Sequence, residues 1–504
     1  MAHVRDVFEK FGSGDQRRCP ACGKKISGGN ESDSGMVRPH KSWGDEYAEC
    51  EWVRETTNSG GRKKINKTKA SSAEKAINRK FQMSHPITPE NVTRAELANG
   101  IVVLVKENHT NASVTLRGRL RAGAMYETEA NAGLAVFTAS ALQRGTKKFT
   151  FQHLNELYDS VGMSFGVGAG TEIASFGGKS LTEDFETLVG IAEQVLREPI
   201  FPEKEIERLR GQIVTGLREA EDDTRYVAWR KFQELSFPKG HPYHHPDDGT
   251  EATVKKLTRA KLADFHTKYF RPDGAIFVIV GDVDAQHAID LVAKHFGGWK
   301  GKKGIPFGVP DVPPQPRAMR QDIGLEGKIQ SDVILGYPGI KRQDPDFYAL
   351  RTADLIFGQL GLSGRLGEIV RDQMGLCYYV YSSLGAGIGA GSWMIGTGVN
   401  PRNVDLAIEA IGDEVRRLRA GGVTQDELSH AQDFLTGSLA LRLETNDGVA
   451  NTLADMELYS LGMDYIVRYA DLFRGVTREQ ILDAVQKYAR LEDAVIVTAG
   501  PEKE

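Results

Sequence analysis

The sequence of 504 residues has few cysteines, no long apolar run and no strong charge of either sign. No stretch approaches the roughly 18 apolar residues of a membrane span, and the first residues lack the apolar core of a secretory signal. We therefore expect a cytoplasmic chain with no membrane partner. The net charge of −4 at pH 7 gives no overall reason to expect nucleic acid as a partner. A hydrophobic content of 40% is ordinary for a globular protein that buries its cores.

The four cysteines are Cys19, Cys22, Cys50 and Cys377, and their spacing gives no disulfide framework. Cys19 and Cys22 form a C-x-x-C pair, which can grip a tetrahedral zinc ion, with Cys50 and His40 as conceivable further ligands. A structural zinc site usually has a second close pair of ligands, and this one is missing. The segment is a candidate metal site only.

Residues 1–83 are polar and basic, with a run of basic residues from Gly61 to Lys69. Composition of this kind predicts a disordered extension. The alternative is a start codon assigned too early, with the natural chain beginning at Met83. The basic run would be the place for nucleic-acid binding, but we do not expect nucleic acid as a partner.

Two halves of the sequence repeat each other around a Pro-rich segment at 304–317. Residues 177–196 correspond to 396–415, and residues 201–217 correspond to 423–439. An offset of about 220 residues is too long for a solenoid unit and fits two copies of one α/β domain. Several prolines in the connecting segment favour an extended, solvent-exposed linker.

Apolar periodicity predicts the elements of the first half. Helices are expected at Asp184–Arg197, Pro202–Ala220 and Thr224–Phe237, and a buried strand at 275–283. A strand pair and an apolar helix, at 135–142, come before them.

That apolar helix lies in the stretch Asn131–Thr146, NAGLAVFTASALQRGT, framed by Gly-Leu-Ala at its start and Arg-Gly-Thr at its end. The frame resembles the active-site helix of the pitrilysin/insulinase family of zinc peptidases, which reads G-L-A-H-F-L-E-H-x-L-x-R-G-T. In an H-x-x-E-H helix the two histidines hold zinc and the glutamate acts as the general base. Val136 and Ser140 stand at the histidine positions, and Ala139 stands at the glutamate position.

None of these three side chains can bind zinc or take a proton from water near neutral pH, so we expect no hydrolytic centre in this chain. The family's third zinc ligand is a glutamate about 76 residues after the second histidine position. Alignment on the acidic residues that follow places it at Thr215 or Gly216. A buried helix with an accidental resemblance is the alternative, but the resemblance extends over about residues 90–500.

Other titratable residues could replace the missing ligands. His153 and Glu156 form half of an H-x-x-E-H pattern, and His241, His244 and His245 cluster in one loop. Leu157 occupies the second ligand place of the first pattern, and the family carries a similar His-Pro-Tyr loop as a structural element, so we expect a structural role for both groups.

The resemblance also implies a fold and a substrate-contacting site. The fold is α+β, with two homologous α/β-sandwich domains, each a mostly antiparallel sheet with helices packed on it. The domains are placed at 84–300 and 319–504, with the linker at 301–318. In the second domain, Arg371 and Tyr378 match an R-x6-Y pattern whose side chains contact the peptide backbone in the family's active chamber.

A glycine-bearing turn precedes this pair, with glycines at Gly358, Gly361 and Gly364. It resembles the glycine-rich, substrate-recognising loop of the non-catalytic subunit of mitochondrial processing peptidase, but is shorter and has fewer glycines. Its spacing does not match a phosphate-binding loop.

Members of the family that work as pairs divide these functions, with H-x-x-E-H on one chain and the Arg/Tyr pair on the other. The resemblance thus implies a non-catalytic subunit of a heterodimeric zinc metallopeptidase, inactive alone. Its expected partners are a homologous catalytic chain that holds the zinc, and a peptide or unfolded protein substrate. The alternative is an inactive homodimeric scaffold or peptide-binding protein.

Overall fold

The computed structural model describes residues 87–301, 304–313 and 317–502, apart from the side chain of Leu362. A six-stranded sheet in the order β1-β2-β6-β3-β5-β4 forms the centre of the first half. Neighbouring strands run antiparallel except for β2 and β6, which run parallel. The strands are β1 (Thr93–Glu96), β2 (Val102–Glu107), β3 (Ser113–Leu120), β4 (Ser164–Ala169), β5 (Ala174–Leu181) and β6 (Ile276–Gly281).

The helices of the first half begin mostly at polar side chains that accept a backbone N–H, as Thr150 does from His153 and Asp284 from His287. The three helices predicted from periodicity are confirmed to within one or two residues, as α3, α4 and α5. The helices are α1 (Leu134–Ala141), α2 (Phe151–Val161), α3 (Phe185–Arg197), α4 (Glu203–Glu221), α5 (Thr224–Ser236), α6 (Glu251–Val254), α7 (Arg259–Tyr269) and α8 (Ala285–Phe296).

The second half contains a five-stranded sheet in the order β7-β11-β8-β10-β9, with one parallel pair, β7 and β11. Five strands of the first sheet follow the same plan, β2-β6-β3-β5-β4, with the parallel pair in the same place. The repeat predicted from the sequence is therefore confirmed as two sheets of one design. The strands are β7 (Met319–Gly324), β8 (Ser331–Pro338), β9 (Cys377–Leu384), β10 (Ser392–Val399) and β11 (Val495–Gly500).

The helices of the second half include two π-helical segments, Leu355–Gln359 and Gly367–Gln373, which flank the glycine-bearing turn. Wide turns of this kind often occur at functional sites. The α-helices are α9 (Phe347–Asp354), α10 (Val404–Gly421), α11 (Gln425–Arg442), α12 (Asn446–Leu458), α13 (Tyr465–Arg474) and α14 (Arg478–Tyr488).

Each half places one helix on the sheet of the other half. Helix α5 lies on β8 and β11, where Phe232 packs against Ile334 and Val497. It approaches so closely that a Cβ on Gly336 would lie 2.6 Å from the Phe232 ring.

Conversely, helix α12 of the second half lies on β3 and β6 of the first sheet. Polar contacts fix it there. The Arg94 guanidinium donates twice to Glu457, at 2.7 and 3.1 Å, and Arg117 donates to Asp447 at 2.5 Å. The two sheets therefore belong to one compact unit with shared cores.

The segment between the sheets is only partly exposed. Residues 304–313 form no helix or strand, as predicted, but Val309 is buried against Phe237 and Tyr243. The Pro310 carbonyl lies 3.1 Å from Nε2 of His241. The expectation of a solvent-exposed linker holds for most of residues 304–313 and is wrong at Val309.

Candidate functional site

Helix α1 carries Val136, Ala139 and Ser140. These residues stand where the resembling family has its two zinc-binding histidines and its general base. Ala139 is fully buried in the first-half core, and Val136 and Ser140 are half-buried. The helix begins at Gly133, where φ is +93° and a Cβ would lie 2.8 Å from the Asp248 carbonyl oxygen. Glycine is required there because no other residue adopts this conformation in so little space. The helix is thus a packed element of the core.

A buried carboxylate holds the start of this helix. Glu127, whose side chain is 0% exposed, accepts hydrogen bonds from the backbone N–H groups of Gly133, at 2.9 Å, and Ala135. His245 Nε2 lies 3.8 Å from the same carboxylate. Burial raises the pKa of Glu127 above its usual value, while His245 and the two N–H groups oppose this shift. A negative charge near the first turn is favourable for a helix.

The predicted position of the third zinc ligand lies on α4, where Thr215 and Gly216 are exposed. Neither they nor the three α1 residues have a side chain that binds zinc strongly. Within residues 87–301, 304–313 and 317–502, no three His, Cys, Asp or Glu side chains lie close enough together to hold a metal ion. The donor set at this place therefore does not fit zinc.

The three side chains of the histidine loop contact backbone groups and one carboxylate. His241 lies between two backbone groups, because its Nδ1 accepts from the Tyr243 N–H at 3.1 Å while Nε2 faces the Pro310 carbonyl. His244 Nδ1 lies 2.8 Å from the Phe237 carbonyl, and His245 faces Glu127. The loop supports the start of α1 and the linker.

The second histidine candidate lies at the surface. His153 and Glu156 face each other across one turn of α2 at 3.7 Å, and both are at least half exposed. The structure does not bring them to any further metal-binding group among the described residues.

Arg371 and Tyr378, in contrast, lie together. The guanidinium carbon of Arg371 is 5.8 Å from the centroid of the Tyr378 ring. Arg371 lies in the π-helical segment Gly367–Gln373, and Tyr378 is 81% exposed near the start of the edge strand β9. A guanidinium and a phenol so placed can both donate to the carbonyl of a peptide lying along that edge.

Asp354 secures β9, the strand that carries Tyr378. Its carboxylate accepts from Ser382 Oγ at 2.7 Å, from Trp393 Nε1 at 2.9 Å and from the Leu384 N–H at 3.2 Å, and pairs with Arg351 at 3.1 Å. Burial raises the pKa of Asp354 despite these donors. The carboxylate therefore ties β9 and β10 to helix α9.

Comparison with known proteins identifies the family to which the chain belongs. A family model described as Insulinase (Peptidase family M16) matches residues 102–235, and a second, described as Peptidase M16 inactive domain, matches residues 256–435. Together they match well over half of the chain. The chain belongs to the M16 peptidase family.

Relatives of known sequence agree with this assignment. An uncharacterized zinc protease of Streptomyces coelicolor is 26% identical over 375 residues, 73% of this chain and 80% of the relative. The mitochondrial-processing peptidase subunit beta of Saccharomyces cerevisiae is 23% identical over 371 residues, 71% of this chain and 80% of the relative.

A solved structure agrees as well. The peptidase M16 inactive domain from Pseudomonas fluorescens matches with a TM-score of 0.77 and 26% identity, covering 82% of this chain and 98% of that one. The M16 fold thus accounts for both halves, including the helix that lacks zinc ligands.

The glycine-bearing turn of this M16 chain is less open than its sequence suggests. Gly358 is buried, and a Cβ there would lie 2.4 Å from the Ser382 nitrogen, so it allows the π-helical segment to approach β9. Gly364 is also buried, whereas Gly361 is exposed with φ at +59°. A substrate-binding role for these three residues remains a prediction.

Sequence reasoning missed Glu127 and Asp354, which position the two predicted sites. The sequence does show that Glu127 is a carboxylate six residues before Gly133, the glycine at which α1 starts. That spacing could have indicated its contact with the start of the helix. The candidate zinc ligands Cys19, Cys22, His40 and Cys50 lie outside the described residues. Among the described helices, none is long and apolar enough to cross a membrane.

Proposed function

We propose that this chain is the non-catalytic subunit of a two-chain M16 zinc peptidase. The catalytic partner is a homologous chain that carries H-x-x-E-H and the zinc. This chain forms half of the peptide-binding chamber and contributes Arg371 and Tyr378.

One observation carries the proposal. The α1 helix keeps its packing but lacks every zinc-binding side chain, while the Arg371–Tyr378 pair is assembled on an exposed edge. A chain selected only as a scaffold has no need of such a pair. The name of one relative, a processing-peptidase subunit, supports a two-chain arrangement.

The sheet edges support peptide binding. Within the described residues β4 pairs with β5 and β9 pairs with β10, so each has one edge with no strand beside it. An exposed edge is a template for an extended peptide, whose backbone adds as a further strand. Arg371 and Tyr378 lie at the start of the β9 edge.

The test uses the full chain, alone and mixed with a homologous H-x-x-E-H chain from the same source. Alone, the chain should cleave no peptide. In the mixture, Arg371→Ala should lower kcat/KM by about 100-fold, the loss typical of removing one donor to a developing oxyanion. Arg402→Ala, at an exposed arginine after β10, is the matched control and should leave turnover unchanged.

Two results would contradict the proposal. Cleavage by the isolated chain that a zinc chelator abolishes would place a catalytic centre in it. A stable homodimer that forms no mixed species with any H-x-x-E-H homologue, by analytical ultracentrifugation, would favour the scaffold alternative.

A further inference from the structure

A cleft of about 650 Å³ lies between the two halves, at the turns that follow their edge strands. The β4–β5 turn forms one side, and the β9–β10 turn, at residues 385–391, forms the other. Among the described residues, those that line the cleft include no lysine, arginine or histidine. We call it the Glu172 cleft; the side chains that matter are Glu172, Trp229, Gln233, Phe237, Tyr243 and Tyr459.

The Glu172 carboxylate is held in place by neutral groups. Its Oε1 accepts from the Gly389 N–H at 2.8 Å and from the Tyr243 hydroxyl. A Cβ on Gly387 would lie 2.5 Å from Oε2, so this backbone also approaches the carboxylate closely. In the described part of the chain no basic side chain forms an ion pair with it. A half-buried carboxylate is thus fixed in the cleft without a counter-ion from its own lining.

Aromatic rings make up much of the remaining wall, from Trp229, Phe237, Tyr243 and Tyr459. Burial, followed by the nearby charge of Glu172, raises the pKa of Tyr459 to about 12. Ring faces attract cations, and the attraction grows when the cation is partly removed from water. A carboxylate surrounded by rings is therefore complementary to an organic cation.

Two arginines near Tyr459 are already engaged. Arg119 donates to Asn451 at 3.0 Å and to Asp455 at 3.4 Å. Arg342 donates to the Tyr465 hydroxyl at 2.8 Å, and its guanidinium lies 3.8 Å above the centre of the Phe347 ring. Neither lines the cleft, so neither fills it.

We propose that the Glu172 cleft binds the side-chain cation of a lysine or arginine in an extended peptide. The peptide is favoured over a free amine because Gly168 and Ala169, at the end of the edge strand β4, line the same cleft. A peptide added to an edge strand projects alternate side chains to each face, and one of them reaches the cleft. This inference rests on one part of the proposed function, namely that the chain binds a peptide.

The experiment measures binding to the full chain by isothermal titration calorimetry. The probes are three nine-residue peptides, acetylated and amidated at their ends, with arginine, citrulline or norleucine at the central position. The arginine peptide should bind about tenfold more tightly than the other two, the size expected for a partly desolvated cation between rings and a carboxylate. Agmatine, a free guanidinium, should bind much more weakly than the arginine peptide.

The protein variant is Glu172→Gln, which keeps an oxygen acceptor for Gly389 and Tyr243 and removes the charge. It should abolish the preference for arginine over citrulline and leave citrulline binding unchanged. Glu156→Gln, at an exposed glutamate on α2, is the control and should keep the preference. The citrulline comparison needs no variant, so it tests the proposal even if Glu172→Gln folds poorly.

Equal binding of all three peptides would overturn the cation site and leave peptide binding intact. Agmatine binding as tightly as the arginine peptide would overturn the assignment to a peptide. Peptide binding with no loss of turnover in Arg371→Ala would contradict only the proposed function, so the two failures are distinguishable.

Discussion

Replacement of Glu127 by alanine tests whether α1 is kept for packing. The change leaves the buried N–H groups of Gly133 and Ala135 without their acceptor. An unsatisfied buried donor costs about 1–3 kcal/mol. The two together, less the cost of burying the carboxylate in the wild type, give an expected loss of about 2–4 kcal/mol in the free energy of unfolding.

Glutamine at position 127 should cost less. Its single oxygen can accept one of the two N–H groups, while its amide nitrogen faces the other, so we expect a loss of about 1–2 kcal/mol. Urea unfolding followed by circular dichroism gives these values. The control is Glu129→Ala, because Glu129 is 59% exposed and pairs with Lys239 only at 3.7 Å; it should change stability by less than about 0.5 kcal/mol.

The pH dependence has a definite sign. The pKa of Glu127 is raised in the folded chain, so the folded state holds this proton more tightly than the unfolded state. The stability that Glu127 contributes should therefore fall as pH rises from its unfolded pKa, about 4.3, through its raised folded value. The difference in stability between wild type and Glu127→Gln should shrink over that window. A difference that grows, or an alanine variant no less stable than Glu129→Ala, would refute the reasoning.

Three further stability predictions concern Asp354 and Gly358 in the second half and Gly211 in α4. Asp354→Ala should cost about 3 kcal/mol, because it leaves buried donors on β9 and β10 unpaired, and Asp354→Asn should cost less. Gly358→Ala should cost about 1–3 kcal/mol by forcing a Cβ against Ser382. Gly211→Ala, in the open middle of α4, should instead stabilise by about 0.5–1 kcal/mol. Thermal melts of the four variants check all of these, and a harmless Gly358→Ala would contradict the packing argument.

Elements set by local pattern could be predicted from the sequence. The apolar periodicity of residues 185–197 and 203–221 fixed two helices because the residues that pack them recur every three or four positions. The repeat predicted the shared strand order because two copies of one sequence pattern form one topology. That Val136, Ala139 and Ser140 carry no zinc-binding side chain is a matter of residue identity and needs no structure.

Features set by distant contacts could not be predicted. Nothing in residues 224–236 says that their apolar face meets the second sheet and not the first, because burial requires an apolar surface without specifying which one. Glu127 and Glu172 read as ordinary surface glutamates, since their partners lie far away in the chain or are backbone groups. For the same reason the sequence did not predict the Glu172 cleft.

Helices α5 and α12 each pack on the sheet of the other half, and this constrains how the chain folds during its synthesis. One face of the first sheet, with Val102, Leu104 and Val278, shares a core with Leu453 of α12. On the ribosome, that face stays uncovered until residues 446–458 emerge, about 165 residues after β6 is complete. The first half cannot finish folding during its own synthesis, and a chain stopped at the linker would expose an apolar sheet face to aggregation. Because α5 in turn packs on the second sheet, the first half cannot simply be deleted, although α1 has no zinc-binding side chain.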